Sequence, residues 1–158
     1  MILGIIADSH DNLPKLKKAV TLFNKKNVSL VLHAGDYVAP FSVGIIENNL
    51  NCEYMGIFGN NDGERDGLFN RSKGKINNNF LELDKFGKNI FMIHDFSKIK
   101  VDPRNYDIVI YGHTHKAKIE NNEKAWIINP GECGGWLTGS STVATFDLIG
   151  NTAKIHRL

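Results

Sequence analysis

The sequence predicts an α/β fold in which two mixed β-sheets pack face to face with helices outside, a four-layer αββα sandwich. Three observations predict it. Continuous apolar runs recur at residues 2–7, 28–32 and 108–111, the pattern of strands covered on both faces. Helical spacing separates the early runs, as parallel strands require. The second half carries pairs of short strand-like runs joined by turn residues, the mark of hairpins.

The elements follow in order. Residues 2–7 read as the first strand. Asn12 is placed to cap a helix that has Pro14 in its first turn, and Leu13, Leu16, Val20 and Phe23 recur at helical spacing. Residues 28–32 form a second strand, 41–47 a helix and 54–58 a third strand. Residues 80–84 and 89–93, joined through Gly87, read as a hairpin. Residues 108–111 are again a buried strand. A second hairpin pairs 117–120 with 125–128, and a third pairs 142–148 with 153–157, turning at Gly150-Asn151. No internal repeat is present, and the Asn/Lys-rich pieces at 48–51, 77–79 and 121–124 read as surface turns.

A length of 158 residues suits one domain spanning 1–158 with a single substantial core. A net charge of +2, with Lys and Arg scattered, argues against nucleic acid or an acidic membrane as the main partner. The two cysteines, Cys52 and Cys133, suit neither a disulfide framework nor a zinc ribbon. No apolar stretch approaches the ~20 residues of a membrane span. Residues 1–8 are apolar but too short for a signal peptide, and they end in an acid. A cytoplasmic protein is expected.

The chemistry lies where the strands stop. Asp8 and His10 follow the first strand in "ADSHDN", Asp36 follows the second in "HAGD", and Asn60 the third in "GNND". His94 follows residues 90–93, and His113 and His115 follow residues 108–111 in "YGHTH". Ligands of open α/β sheets collect beyond the carboxyl ends of the strands, so seven O- and N-ligands from five loops can converge. Singly, each has a plainer reading: a Gly-Asp turn, a left-handed Asn, a hydrogen-bonded structural His. Five such coincidences at equivalent positions favour a site.

Carboxylate, imidazole and amide together suit Mn, Fe, Zn, Ni or Co better than Mg or Ca. Seven ligands exceed the three protein ligands of a catalytic zinc, so two metals sharing one carboxylate fit better. Two divalent ions ~3.5–4 Å apart repel by roughly 17–19 kcal/mol at an effective dielectric of ~20. Bridging anions are therefore required, one a carboxylate and one a hydroxide.

These motifs, in this order over nearly the whole chain, resemble the calcineurin-like metallophosphoesterases, and "GHTH" after an apolar strand is the most specific of them. The short length resembles the small single-domain bacterial and archaeal phosphodiesterases, and "IINPGE" (127–132) is similar to their Asn-Pro-Gly-Ser segment. The resemblance implies that Asp8, His10 and His115 hold one metal, that Asn60, His94 and His113 hold the other, and that Asp36 bridges. Gly112 would let the backbone turn tightly enough to aim both histidines inward. The implied function is a two-metal-dependent phosphohydrolase, a phosphodiesterase whose nucleophile is a metal-bridging hydroxide. Asn60 and His113 would also stabilise developing charge catalytically. Mn2+ is the favoured ion, with Ni2+, Fe2+, Zn2+ or Co2+ as alternatives. A phosphate ester is the substrate, and a homodimer is allowed for.

Three positions depart from the family pattern. Asn61 stands where many members carry a proton-donating His, Asp95 stands where Gly usually follows the His94 position, and Glu132 replaces the Ser. Two rival functions remain: a phosphomonoesterase, and a non-catalytic interaction scaffold such as a vesicle-sorting subunit with an eroded ligand set. Outside the motifs, His33 and Cys133 are expected to be structural and His156 irrelevant. Trp126, Trp136, Phe41 and Phe69 are left as cleft walls or core.

Overall fold

The computed structural model describes residues 1–158. In chain order the elements are β1 (Ile2–Ile6), α1 (Leu13–Lys25), β2 (Leu30–His33), α2 (Pro40–Asn49), β3 (Glu53–Gly56), α3 (Arg65–Arg71), β4 (Phe80–Lys85), β5 (Lys88–Ile93), β6 (Ile108–Ile110), β7 (Lys118–Asn121), β8 (Trp126–Asn129), β9 (Thr142–Asp147) and β10 (Thr152–Arg157). The first sheet runs β10-β9-β1-β2-β3 and the second β4-β5-β6-β8-β7. In the second sheet the parallel pairs lie in the middle and hairpins supply both edges. In the first, β1, β2 and β3 are parallel out to one edge, and the β9-β10 hairpin joins β1 antiparallel to form the other.

The apolar run of β1 is explained by its two faces. Leu3, Ile5 and Ala7 enter the core between the sheets, with Leu30, Leu32, Ile90, Met92, Ile108, Ile110 and Phe146. Ile6 points the other way, into a core shared with Leu16, Val20 and Phe23 of α1 and Val43 and Ile46 of α2. Val28, expected in the second strand, lies just before it and packs in this helix-side core. The cap on α1 is as expected: Asn12 accepts from the Lys15 amide at 3.3 Å, and its own amide donates to the Gly134 carbonyl at 2.7 Å.

All three α-helices sit outside the first sheet. The layer outside the second is thinner: Phe96, Ile99, Val101 and Tyr106, from a segment that holds two short 3-10 turns, cover Phe91, Ile93 and Val109. The three hairpins fall where the alternation placed them. Helix α3 was not legible, since only Leu68 of its seven residues is buried. No helix is long and apolar enough to cross a membrane.

The inter-sheet core carries the stability of both parallel strand sets. Ile5→Ala, at a fully buried position in it, should lower unfolding free energy by about 2–5 kcal/mol in urea titrations.

Candidate metal centre

The loops after β1, β2, β3, β5 and β6 all leave the carboxyl ends of parallel strands, so the two sheets deliver them to one edge. All seven ligand candidates meet there. Ligand atoms of Asp8, His10, Asp36 and His115 lie within 4.8 Å of one another. His115 Nε2 is 3.6 Å from Asp8 Oδ1, and His10 Nε2 is 3.5 Å from Asp36 Oδ2. On the other side, Asn60 Oδ1 lies 2.9 Å from His94 Nε2 and 2.8 Å from His113 Nδ1. Asp36 joins the groups, because the same Oδ2 is also 3.3 Å from His94 Nε2.

The backbone is bent to achieve this. Asp8, His10, Asp36, His113 and His115 all have positive φ, between 42° and 65°. A non-glycine residue there costs roughly 1–2 kcal/mol, and such strain gathers at functional sites. Gly112 differs from expectation. Its φ is not positive; it is needed because a Cβ there would come within 2.9 Å of both Ala7 Cβ and Asp8 Oδ2. The left-handed turns are made by the histidines themselves.

Charge tells the same story. Asp8 is fully buried, and burial raises its pKa to about 7. Burial also pushes Asp36 up, but His94 and both N–H donors of Asn61 outweigh it and hold the carboxyl well below the usual range. Burial pulls His94 down, and Asp36 more than reverses this. His10 Nε2 is buried with no hydrogen-bond partner. A buried carboxylate short of positive charge beside an unpartnered imidazole nitrogen is a donor set that a divalent cation fits.

The supporting roles of three residues escaped sequence reasoning. Asp62 accepts from Gly59 N–H at 2.7 Å, Asp36 N–H at 3.0 Å and Val38 N–H at 2.8 Å, pinning two ligand loops to each other. Asn61 donates its backbone N–H to Asp36 Oδ1 and its amide to Oδ2, each at 2.8 Å. Glu132 is fully buried, accepts from the backbone of Trp136, Leu137 and Thr138 and from the Thr138 hydroxyl, and lies 3.4 Å from His115 Nδ1. The only sequence signal for Glu132 was its departure from Ser.

The remaining residues resolve as follows. His33 is fully buried; the Gly35 N–H donates to its Nδ1 at 3.2 Å, so its proton sits on Nε2, 3.2 Å from Ser9 Oγ. Burial keeps the Cys133 thiol protonated. His156 meets only Thr145 in the last hairpin. Trp126 stands edge-on to Phe146, and Phe41 and Phe69 are exposed on helices. Trp136 alone of the four aromatics is at the centre, its indole N–H donating to the His10 carbonyl at 3.0 Å. Burial pushes the Asp95 carboxyl up, but two Ser97 donors and His113 outweigh it, so it stays ionised at neutral pH.

Residues 1–151 match the model of the calcineurin-like phosphoesterase superfamily domain. A phosphodiesterase of Methanocaldococcus jannaschii is 37% identical over 155 residues, 93% of each chain. The solved structure of an archaeal phosphodiesterase superposes with a TM-score of 0.90 at 36% identity over the whole of both chains. Vacuolar protein sorting 29 of Cryptosporidium parvum superposes with a TM-score of 0.66 at 15% identity, covering 99% of this chain and 96% of its own. At that identity the likeness shows the fold alone.

Two predictions follow from the supporting residues. Glu132→Gln should weaken divalent-cation binding about 10–100-fold by calorimetry, since a buried carboxylate 3.4 Å from His115 Nδ1 is placed to orient a candidate ligand imidazole. Burial lowers His33 from 6.5 to about 3. Below pH 6.5 the unfolded chain therefore binds a proton that the folded chain refuses, and stability falls as pH drops from about 6.5 toward 3. In chelator-treated protein, His33→Gln should make urea stability less steep across that window.

Proposed function

The chain belongs to the calcineurin-like phosphoesterase superfamily, and we propose that it is a two-metal phosphodiesterase working through the seven side chains at the strand ends. One observation carries the reading: a single oxygen, Asp36 Oδ2, lies 3.5 Å from His10 Nε2 and 3.3 Å from His94 Nε2, between the two ligand groups. Asp8, His10 and His115 would hold one cation, Asn60, His94 and His113 the other, with Asp36 between them. Such cations supply Lewis acidity toward phosphoryl oxygens and lower the pKa of water. Four imidazoles favour Mn2+ or Ni2+ over Mg2+.

The chain's own groups do the rest. Asn60 turns its Oδ1 toward His94 and His113, which leaves its amide N–H groups to donate to charge developing on the phosphoryl oxygens. His113 Nε2 lies 3.6 Å from Asp95 Oδ2 and can donate on the same side. Asn61 spends its side-chain donor on Asp36, and an amide cannot protonate a leaving group. Asp95, ionised, is no acid at neutral pH. Activated aryl esters are therefore favoured over alkyl monoesters.

Preference for diesters rests on the M. jannaschii relative being a phosphodiesterase and on two flanks beside the centre, one for each ester arm. Trp136, 65% exposed, stands on the His10 side, and a cavity opens on the Asn60 side. The scaffold reading loses ground because all seven ligand candidates are present and converge. Two unpaired cysteines, Cys52 and Cys133, support a reducing, cytoplasmic location.

Chelator-stripped protein should be inactive toward bis(p-nitrophenyl) phosphate, and Mn2+ should restore it with about two ions per chain by metal analysis. Asp36→Asn should cost more turnover than His115→Ala, because it takes a negative charge from between two cations. Equal activity before and after stripping would end the metal mechanism.

A further inference from the structure

The cavity on the Asn60 and His94 side encloses about 480 Å3, within the ~300–1,000 Å3 typical of small-molecule sites. Its walls are of two kinds. Phe58, Phe80, Ile93 and Ile99 supply apolar surface, while Arg65 and Lys98 supply positive charge. The Arg65 guanidinium lies 5.1 Å from the centroid of the Phe58 ring. It donates to the Asp62 carbonyl at 3.2 Å, Asn79 Oδ1 at 3.1 Å and the Gly59 carbonyl at 3.4 Å, all of them neutral oxygens. Of its five N–H groups, two stay unspent.

Lys98 Nζ has one acidic neighbour, Asp95 Oδ2 at 3.6 Å. Asp95 is the single acid on the wall. It is shared with His113 Nε2 at 3.6 Å and takes two donors from Ser97, so the cavity keeps a net positive charge. The transferred phosphoryl group does not need these cations, since the centre holds it.

Resting on the phosphodiesterase reading above, we propose that this cavity receives one ester arm of the substrate, and that the arm is nucleotide-like: a flat aromatic body with a negative charge of its own. The aromatic body packs against Phe80 and on the outer face of the Arg65 guanidinium, whose other face already covers the Phe58 ring. The anion takes the free guanidinium N–H groups and the Lys98 ammonium, a pairing that suits phosphate. An uncharged aryl arm would use the apolar wall and leave both cations idle.

The test compares two chromogenic diesters with one leaving group, thymidine 5′-(p-nitrophenyl phosphate) with and without a 3′-phosphate, on Mn2+-loaded protein. The 3′-phosphorylated ester should have a kcat/KM at least about tenfold higher, mostly through KM, and Lys98→Gln and Arg65→Gln should each bring the ratio toward one. Arg65 also braces the Asp62 loop, whereas the Lys98 side chain bonds to no backbone group and meets only the Asp95 carboxylate, so the lysine variant removes the charge without removing that brace. Calorimetry with thymidine 3′,5′-bisphosphate on chelated protein reads the cavity without catalysis, and Lys98→Gln should weaken that binding about fivefold or more. A wild-type ratio near one, or a ratio and an affinity unmoved in both variants, overturns the nucleotide-arm proposal. Bisphosphate binding that responds to Lys98→Gln, without hydrolysis of bis(p-nitrophenyl) phosphate, upholds the cavity and overturns the phosphodiesterase reading instead.

Discussion

Two carboxylates buried beyond the ends of neighbouring parallel strands are the constraint on which the rest of the molecule depends. An unpaired buried charge costs several kcal/mol, and the fold answers differently for each. Asp36 is given two Asn61 donors and sits against His94, so it stays ionised without help. Asp8 receives only the His113 backbone N–H, at 3.1 Å, and its burial is left uncompensated. The protein therefore steadies the charge on Asp36 and leaves Asp8 short of positive charge, the deficit a divalent cation would meet. Asp36 is ready as a fixed negative charge between two ligand groups, while Asp8 gains most from a cation.

Holding such a site open without a mobile loop requires strain, and the strain is spread. Five of the seven ligand candidates have left-handed backbones. Two of these turns are braced by residues outside the candidate set. Asp62 takes the N–H groups of Asp36, Val38 and Gly59, and this explains how a β-branched residue, Val38, tolerates a φ of 85°. Asn129 donates to the Gly112 carbonyl at 2.9 Å, below the His113 turn. Behind the loops lie two cores, one between the sheets and one under the helices. The sheets are the anvil, and the strand ends inherit their rigidity.

Much of this was legible because it is written in period and position. A run such as residues 2–7 has one explanation, a strand covered on both faces, and β1 shows Leu3 and Ile5 going one way and Ile6 the other. The ligands were legible because a strand end is a position that can be read. What was hidden acts across the chain. Asp62 braces Asp36 from 26 residues away, and Glu132 meets a histidine on a different loop. Neither partnership can be read from neighbouring residues, and Glu132 showed only as a departure from Ser. Helix α3 was hidden for another reason: with Leu68 as its one buried residue it has no apolar stripe to read. Gly112 was read correctly as necessary but for the wrong cause, since crowding against Ala7 and Asp8 is a property of the fold and not of the turn.

Position 61 links the chemistry of the leaving group to the charge of the centre. A histidine there offers a proton. The asparagine here instead commits its side chain to Asp36 Oδ2 while its backbone N–H holds Oδ1. Both jobs fall to one side chain, so a chain that chooses the anchor gives up the acid, worth roughly 10²–10⁴-fold on poor leaving groups. Such an enzyme must recover the loss elsewhere, and binding energy from parts of the substrate that do not react is one source. The surfaces able to supply it are the Trp136 flank and the Arg65 cavity, both beside the centre and neither part of it. A monoester has one arm to place on them; a diester has two. The lost acid thus makes the two flanks the source from which transition-state stabilisation is recovered, and only a diester can draw on both.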